Sequence, residues 1–394
     1  MSHVGSSGLF LSKYSLIKKL ILLIFFFLAV DMGGDFGLRN IAVPVGMLFL
    51  LLLIGLSFPR VWYLPFVMLV VYPTIAFLIG VAGGAELAIA ISQLKSTVLA
   101  FIMFLVIYRI PYTITSKALL YSLFAVAFLA VCLTIGLSLG VDVVREILST
   151  MADKGGGYFG ERFISEDKIF PNVYFKATLF YVPAFVISIF LRKYWFAMVF
   201  FLALVAGISK TGMLVTGLVM LIYLFWNKND IKLVLLGWIL LGASAYFIIQ
   251  SPIFILFDEI LKNKSLTVDV RVGHFQSLAS LWIENPLNLL FGFGLGSTFY
   301  SDGVGEVVSN IELDHLNVIR KYGLIWALIF FSWVIMVAYY AIKNKEYEIK
   351  IIGWALLISF VVAGTNPVLI SPIFFLFLFL TMAANRQSSI RNNS

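Results

Sequence analysis

Long apolar runs recur along this chain, separated by brief polar connections. They fall near 16–31, 41–57, 61–80, 96–110, 118–140, 175–191, 195–208, 212–227, 233–250, 323–342, 351–366 and 368–384. Their lengths are close to the ~20 residues that an α-helix needs to cross a bilayer. Lipid offers no partner for backbone N–H and C=O groups, so each run must close its hydrogen bonds within a helix or a sealed barrel. Barrel strands alternate in polarity over short segments, whereas these runs are continuous. The pattern predicts an all-α integral membrane protein, a single polytopic domain over 1–394 with about twelve transmembrane helices and both termini on one side. The stretch 195–227 can be divided in more than one way, because the polar break inside it is short.

Two connections are longer than the rest, 141–174 and 251–322. The first contains Lys154-Gly155-Gly156-Gly157, a flexible or tightly turning stretch. In the second, apolar residues at 275, 278, 279, 282 and 283 repeat at helical spacing and predict an amphipathic helix over 270–284. Asn285-Pro286 stops it. Such a helix, with Arg271 and His274 near its start, suits a membrane surface.

Composition sharpens this picture without changing it. Hydrophobic residues make up 61% of the chain and charged residues 12%, a deficit in the residues that face water. With the N-terminus inside, the short inner connections hold fifteen Lys and Arg, among them Lys18, Lys19, Arg192, Lys193 and Arg386, against only Asp230, Glu346 and Glu348. Positive residues stay cytoplasmic, so the chain is placed in a bacterial inner membrane with cytoplasmic N- and C-termini and the two long loops outside. The same residues, facing anionic inner-leaflet lipid, account for the pI of about 9.3. No clustered basic patch points to nucleic acid. Lys13, Lys18 and Lys19 precede the first run with no small-residue cleavage site after it, so it is expected to be retained. Cys132, the one cysteine, excludes a disulfide framework.

Polar residues near the apolar runs are the candidates for chemistry. His315 stands between Glu312 and Asp314 on one side and Asn317 on the other. Neighbouring carboxylates fix an imidazole tautomer or raise its pKa. Gly207-Ile208-Ser209-Lys210-Thr211-Gly212 interrupts two apolar runs. A lysine there either snorkels to the interface or serves a buried anion. Phe291-Gly292-Phe293-Gly294-Leu295-Gly296 forms either a tight re-entrant bend or a phosphate-binding turn. The outer histidines, His274 and His315, lack metal-ligand spacing.

In their order these residues resemble the O-antigen polymerase and ligase superfamily. The likeness rests on Ser209-Lys210-Thr211-Gly212, then Arg271, then Trp282 with Asn285-Pro286-Leu287 and the Gly292–Gly296 turn, then His315-Leu316-Asn317 before Tyr322-Gly323. It covers residues 205–325 in detail and the remainder in hydropathy alone. The family carries Arg where this chain has Lys210. Its polymerases also carry Arg, ten residues, then Gly in both outer loops. Arg145 and Gly156 fit that spacing, while Arg271 meets Trp282 instead.

The resemblance implies a GT-C-like membrane glycosyltransferase that needs neither cofactor nor metal. Its partners would be undecaprenyl-diphosphate-linked oligosaccharide, membrane lipid and a chain-length regulator. Arg271, Lys210 and Arg145 would bind the diphosphate. His315, with Asp314 or Glu312 orienting it or taking its place, would be the base. A ligase that transfers polymer to the lipid A core shares these features. A polysaccharide flippase shares only the helix count.

Overall fold

The computed structural model describes residues 5–55, 58–153, 157–165, 168–226 and 264–393. The run predicted at 233–250 and the Lys154–Gly156 stretch lie outside the described residues. The described chain is mostly helical. In order it forms α1 (Gly5–Val30), α2 (Leu38–Ile54), α3 (Tyr63–Ala82), α4 (Leu87–Ile107), α5 (Tyr112–Ser138) and α6 (Asp142–Asp153). A hairpin follows, β1 (Gly157–Ser165) with β2 (Lys168–Phe175). After a 3-10 turn at Lys176–Phe180 come α7 (Tyr181–Phe190), α8 (Tyr194–Ala206) and α9 (Lys210–Trp226). The rest comprises α10 (Lys264–Glu284), α11 (Pro286–Phe291), a short hairpin of β3 (Phe299–Ser301) and β4 (Glu306–Val308), α12 (Asp314–Tyr322), α13 (Leu324–Ile342), α14 (Tyr347–Val362) and α15 (Pro372–Asn393).

Five of these helices are long and apolar enough to cross a membrane: α3, α4, α5, α13 and most of α15. Several shorter helices are equally apolar. Ile41, Val45, Leu48 and Leu52 on α2 and Leu328 and Ile335 on α13 turn outward. Large apolar surfaces of this kind fit a hydrocarbon surround and not water.

The chain divides into two compact units. The first comprises residues 1–126, 284–298 and 309–394, and the second 127–283 and 299–308. In the first unit α15 is the core element: Ile373 through Leu380 are all buried, packed by α4, α13 and α14. A helix that is apolar all round belongs in an interior.

One irregularity there has a traceable cause. Residues Val67–Val71 of α3 wind as a π-turn just before Pro73. Proline has no N–H to return to the preceding turn, and the Met68 carbonyl is satisfied instead by the Trp326 indole N–H of α13 at 3.1 Å.

In the second unit α7, α8 and α9 pack together, and α6 lies against β1. The 195–227 stretch is cut at Gly207–Ser209 by a reversing turn. Ile208 N–H bonds to the Val205 carbonyl and Ser209 N–H to that of Leu204, the Schellman closure of a helix end. Ile208 therefore sits at φ 48, a left-handed conformation that β-branched residues rarely take. The hairpin β1–β2 was not anticipated in the 141–174 loop. Its Phe159, Val173 and Phe175 are buried, and the rings of Phe159 and Phe175 meet edge to face at 5.1 Å.

Candidate functional site

In the first unit, polar chemistry concentrates on α12. This helix starts after Leu313 and ends at Gly323, whose φ of 83 reverses the chain into α13. Its apolar and polar residues alternate at helical spacing, and the polar residues Asp314, Asn317, Arg320 and Lys321 are enclosed along with Val318 and Tyr322. Burying so many polar groups is costly unless each is matched, and the matching can be followed.

Asp314 accepts a hydrogen bond from the backbone N–H of Leu369. Arg320 reaches four neutral oxygens: Ser297 O at 2.8 Å, Ser297 Oγ at 3.0 Å, Ser309 O at 2.7 Å and Asn317 Oδ1 at 3.0 Å. It thereby ties together the segments that lead into and out of residues 299–308. Lys321 donates to Asn310 Oδ1, which also accepts from Asn317 Nδ2 at 3.3 Å. Burial pushes the Asp314 carboxyl up and the Lys321 ammonium down, each toward its neutral form. Arg320 is lowered by burial to about 10 and stays charged at neutral pH.

His315, one residue on, points elsewhere. Its ring meets Phe360 at 4.7 Å and Phe331 at 5.3 Å, both edge to face. A side chain at Gly364 would come within 3.0 Å of its Nδ1. This partial enclosure lowers the imidazole pKa below its ordinary value. The adjacent carboxylates were expected to raise it or to fix its tautomer. They do not raise it, because Asp314 is turned to Leu369 and Glu312 is exposed at the surface. What the surroundings favour is a neutral imidazole, the form that can accept a proton.

The Gly292–Gly296 turn is a tight bend. Phe293 N–H bonds to Arg320 O at 2.7 Å, Gly294 N–H to Lys321 O at 3.2 Å, Leu295 N–H to Ala76 O at 2.9 Å and Gly296 N–H to Gln93 Oε1 at 3.0 Å. Its amides are thus committed to the protein, and a phosphate cradle is not the arrangement seen. Gly294 has φ 86, and a Cβ there would collide with the backbone of Gly80 on α3. Glycine is required for this approach. The turn seats α12 against α3 and α4.

The second unit holds the predicted cations. Lys210 is the first residue of α9, preceded by the buried Ser209, and Gly212 leaves the room that Ser209 occupies. A helix N-terminus is electropositive, so a lysine there adds to the attraction for an anion and disfavours the helix without one. Arg145 lies exposed on α6, 3.7 Å from Asp142 one turn back. Arg271 is half-buried on α10. Three residues on, the buried His274 shares a hydrogen bond with Ser301 Oγ, and Ser277 Oγ donates to Asp302 Oδ2 at 2.9 Å. Gly273 and Gly303 let helix and hairpin touch through their backbones. The predicted helix over 270–284 is longer than expected, starting at Lys264, and ends at Glu284 before Asn285-Pro286. Its apolar face divides: Leu278 is buried while Phe275 and Ile283 are exposed.

The six predicted residues therefore divide by unit, Glu312, Asp314 and His315 in the first and Arg145, Lys210 and Arg271 in the second. Sequence reading passed over Arg320 and Lys321, which carry the most enclosed positive charge of α12. The signal available was an Arg-Lys pair directly before an apolar helix. No group of three His, Cys, Asp or Glu that could hold a metal ion occurs among the described residues. No protein family, curated protein or solved structure matches this chain.

Proposed function

We propose that this chain is a membrane glycosyltransferase that polymerises lipid-linked oligosaccharide repeats. In this reading about twelve spans in a GT-C-like arrangement sit in a bacterial inner membrane, with cytoplasmic termini and chemistry on the periplasmic face. The observation that carries the reading is His315, a half-buried imidazole at the head of α12 beside Phe331, Phe360 and Gly364, whose partial burial favours the neutral form. A general base must be unprotonated before the reaction and able to take a proton during it.

The reaction runs as a displacement at the anomeric carbon of the growing chain. The bond from that carbon to the undecaprenyl diphosphate breaks, and its electron pair leaves on the diphosphate oxygen. A bond forms to a hydroxyl of the next lipid-linked repeat, and the hydroxyl proton passes to His315. Negative charge accumulates on the leaving diphosphate, where fixed cations stabilise it most. Arg271 is suited to grip it with paired N–H groups. Lys210, at the positive end of α9, supplies a point charge.

The test is the polysaccharide ladder of a strain that lacks the gene, complemented with wild type, Arg271→Ala or His315→Ala. The reading expects core plus one repeat from the deletion, a restored ladder from wild type, and no ladder from either variant at normal protein level. Loss of even the single-repeat band would replace polymerase by ligase or flippase. An unchanged ladder would remove the assignment.

A further inference from the structure

A cleft of about 560 Å³ opens within the first unit, between the start of α3, the end of α4, α13 and α15. Aromatic residues frame it: Tyr63, Tyr108, Trp333 and Tyr340. Tyr63 and Tyr340 are more than half exposed, at 66% and 61%. Tyr and Trp gather at the level of lipid headgroups, where a ring can be dry on one side and wet on the other. Most of the remaining lining is aliphatic or methionine, and Asn385 and Arg386 form its polar end.

That end is built to receive something. The Arg386 guanidinium lies 5.0 Å over the Tyr108 ring, and one N–H donates to the Tyr108 carbonyl at 2.8 Å. A planar guanidinium has five N–H donors, so it can be held in place and still present others. Arg109 is near enough for the two like charges to repel. Two carboxylates, Glu346 and Glu348, lie near Tyr112 with Arg391; Glu346 is engaged by Arg391 at 3.2 Å and by the Tyr112 hydroxyl at 3.4 Å. The balance at the mouth is positive. Asn385 donates to Val337 O at 3.0 Å, while its own Oδ1 is buried with no hydrogen-bond partner among the described residues. A buried carbonyl of this kind calls for a donor.

We propose that this cleft is a binding site for one anionic phospholipid, with an acyl chain along the apolar floor, its phosphate on Arg386 and a headgroup hydroxyl donating to Asn385 Oδ1. The volume lies within the range of small-molecule sites. A choline headgroup would bring a further cation to a mouth that already holds Arg386 and Arg109, and it has no hydroxyl to donate to Asn385 Oδ1, which selects the anionic class. The proposal does not depend on the glycosyltransfer reading, since it involves none of the residues of that reaction.

Trp333 reports on the cleft floor. The intact chain is reconstituted in phosphatidylcholine vesicles, and acyl-brominated phosphatidylglycerol or acyl-brominated phosphatidylcholine is added at equal mole fraction while tryptophan fluorescence is read. Quenching by the anionic lipid should show about fivefold higher apparent affinity, the effect of one basic residue beside an anionic lipid. That excess should vanish in Trp333→Phe, vanish in Arg386→Gln and persist in Arg386→Lys. Equal quenching by both lipids, or an excess that survives in Trp333→Phe, overturns the site even if Arg386→Gln fails to fold.

Discussion

His315 and Asp314 are neighbours in sequence, yet their surroundings drive them to different tasks. Asp314 secures Leu369 from inside the protein, and His315 stands against two aromatic rings. Because enclosure lowers the His315 pKa, its base form persists to lower pH than in a free histidine. The rate of polymer formation is therefore expected to be flat near neutrality and to fall on the acid side with an apparent pKa below 6.5. A profile whose acid limb is centred above that value would remove His315 as the base. The same shift has a stability consequence. A neutral form favoured by the fold contributes stability above the unfolded pKa, and that stability is lost as pH falls through the lower folded value. His315→Gln should remove this acid-side loss from thermal melts. For Asp314, replacement by Ala leaves the buried Leu369 N–H without its acceptor and should cost about 1–3 kcal/mol. Asp314→Asn keeps an acceptor oxygen and should cost less, as comparative unfolding would show. That these residues stand just ahead of Gly323 and an apolar helix was legible from sequence, but that they begin a short helix of their own was not. Nor was their orientation. Which way a side chain turns from a helix depends on partners such as Leu369 and Phe360, which are distant in sequence.

At the level of elements, most apolar runs became helices near the expected places. Hydrocarbon and interior both reward the same continuous apolar pattern, so a run alone does not say which it meets. The residues of α15 illustrate this: the helix is long and apolar enough to span, and its Phe374 to Leu380 are also the buried core of their unit. The β3–β4 hairpin was hidden for a related reason. Short strands such as Phe299–Ser301 carry too few residues to show a period of two. The glycine turn was legible as a bend, but its partner Gly80 was not. Gly294→Ala combines a left-handed φ, costing about 1–2 kcal/mol, with overpacking against Gly80 that adds about 1–3 kcal/mol. It should lower the midpoint of detergent-solubilised unfolding markedly, and wild-type stability in that variant would show the contact to be dispensable. Ile208→Gly acts in the opposite sense. It relieves a left-handed β-branched residue at the α8–α9 turn and should raise stability by about 1 kcal/mol.

For the molecule as a whole, basic residues bias orientation because translocating them is unfavourable. Reporter fusions after Lys193 and after Arg391 should both read as cytoplasmic. A periplasmic signal from either would reverse the proposed sidedness and remove α10 and α12 from the face proposed for the reaction. Hydropathy made the membrane character legible, while the ordered polar residues between 205 and 325 suggested the chemistry. The most direct test supplies the purified, reconstituted chain with lipid-linked single repeats extracted from the deletion strain and resolves the products by length. A ladder of two or more repeats is expected, with undecaprenyl diphosphate released for each linkage and no ladder from Arg271→Ala. Products that never exceed one repeat, from a wild-type preparation shown to be folded, would contradict polymerisation by this chain.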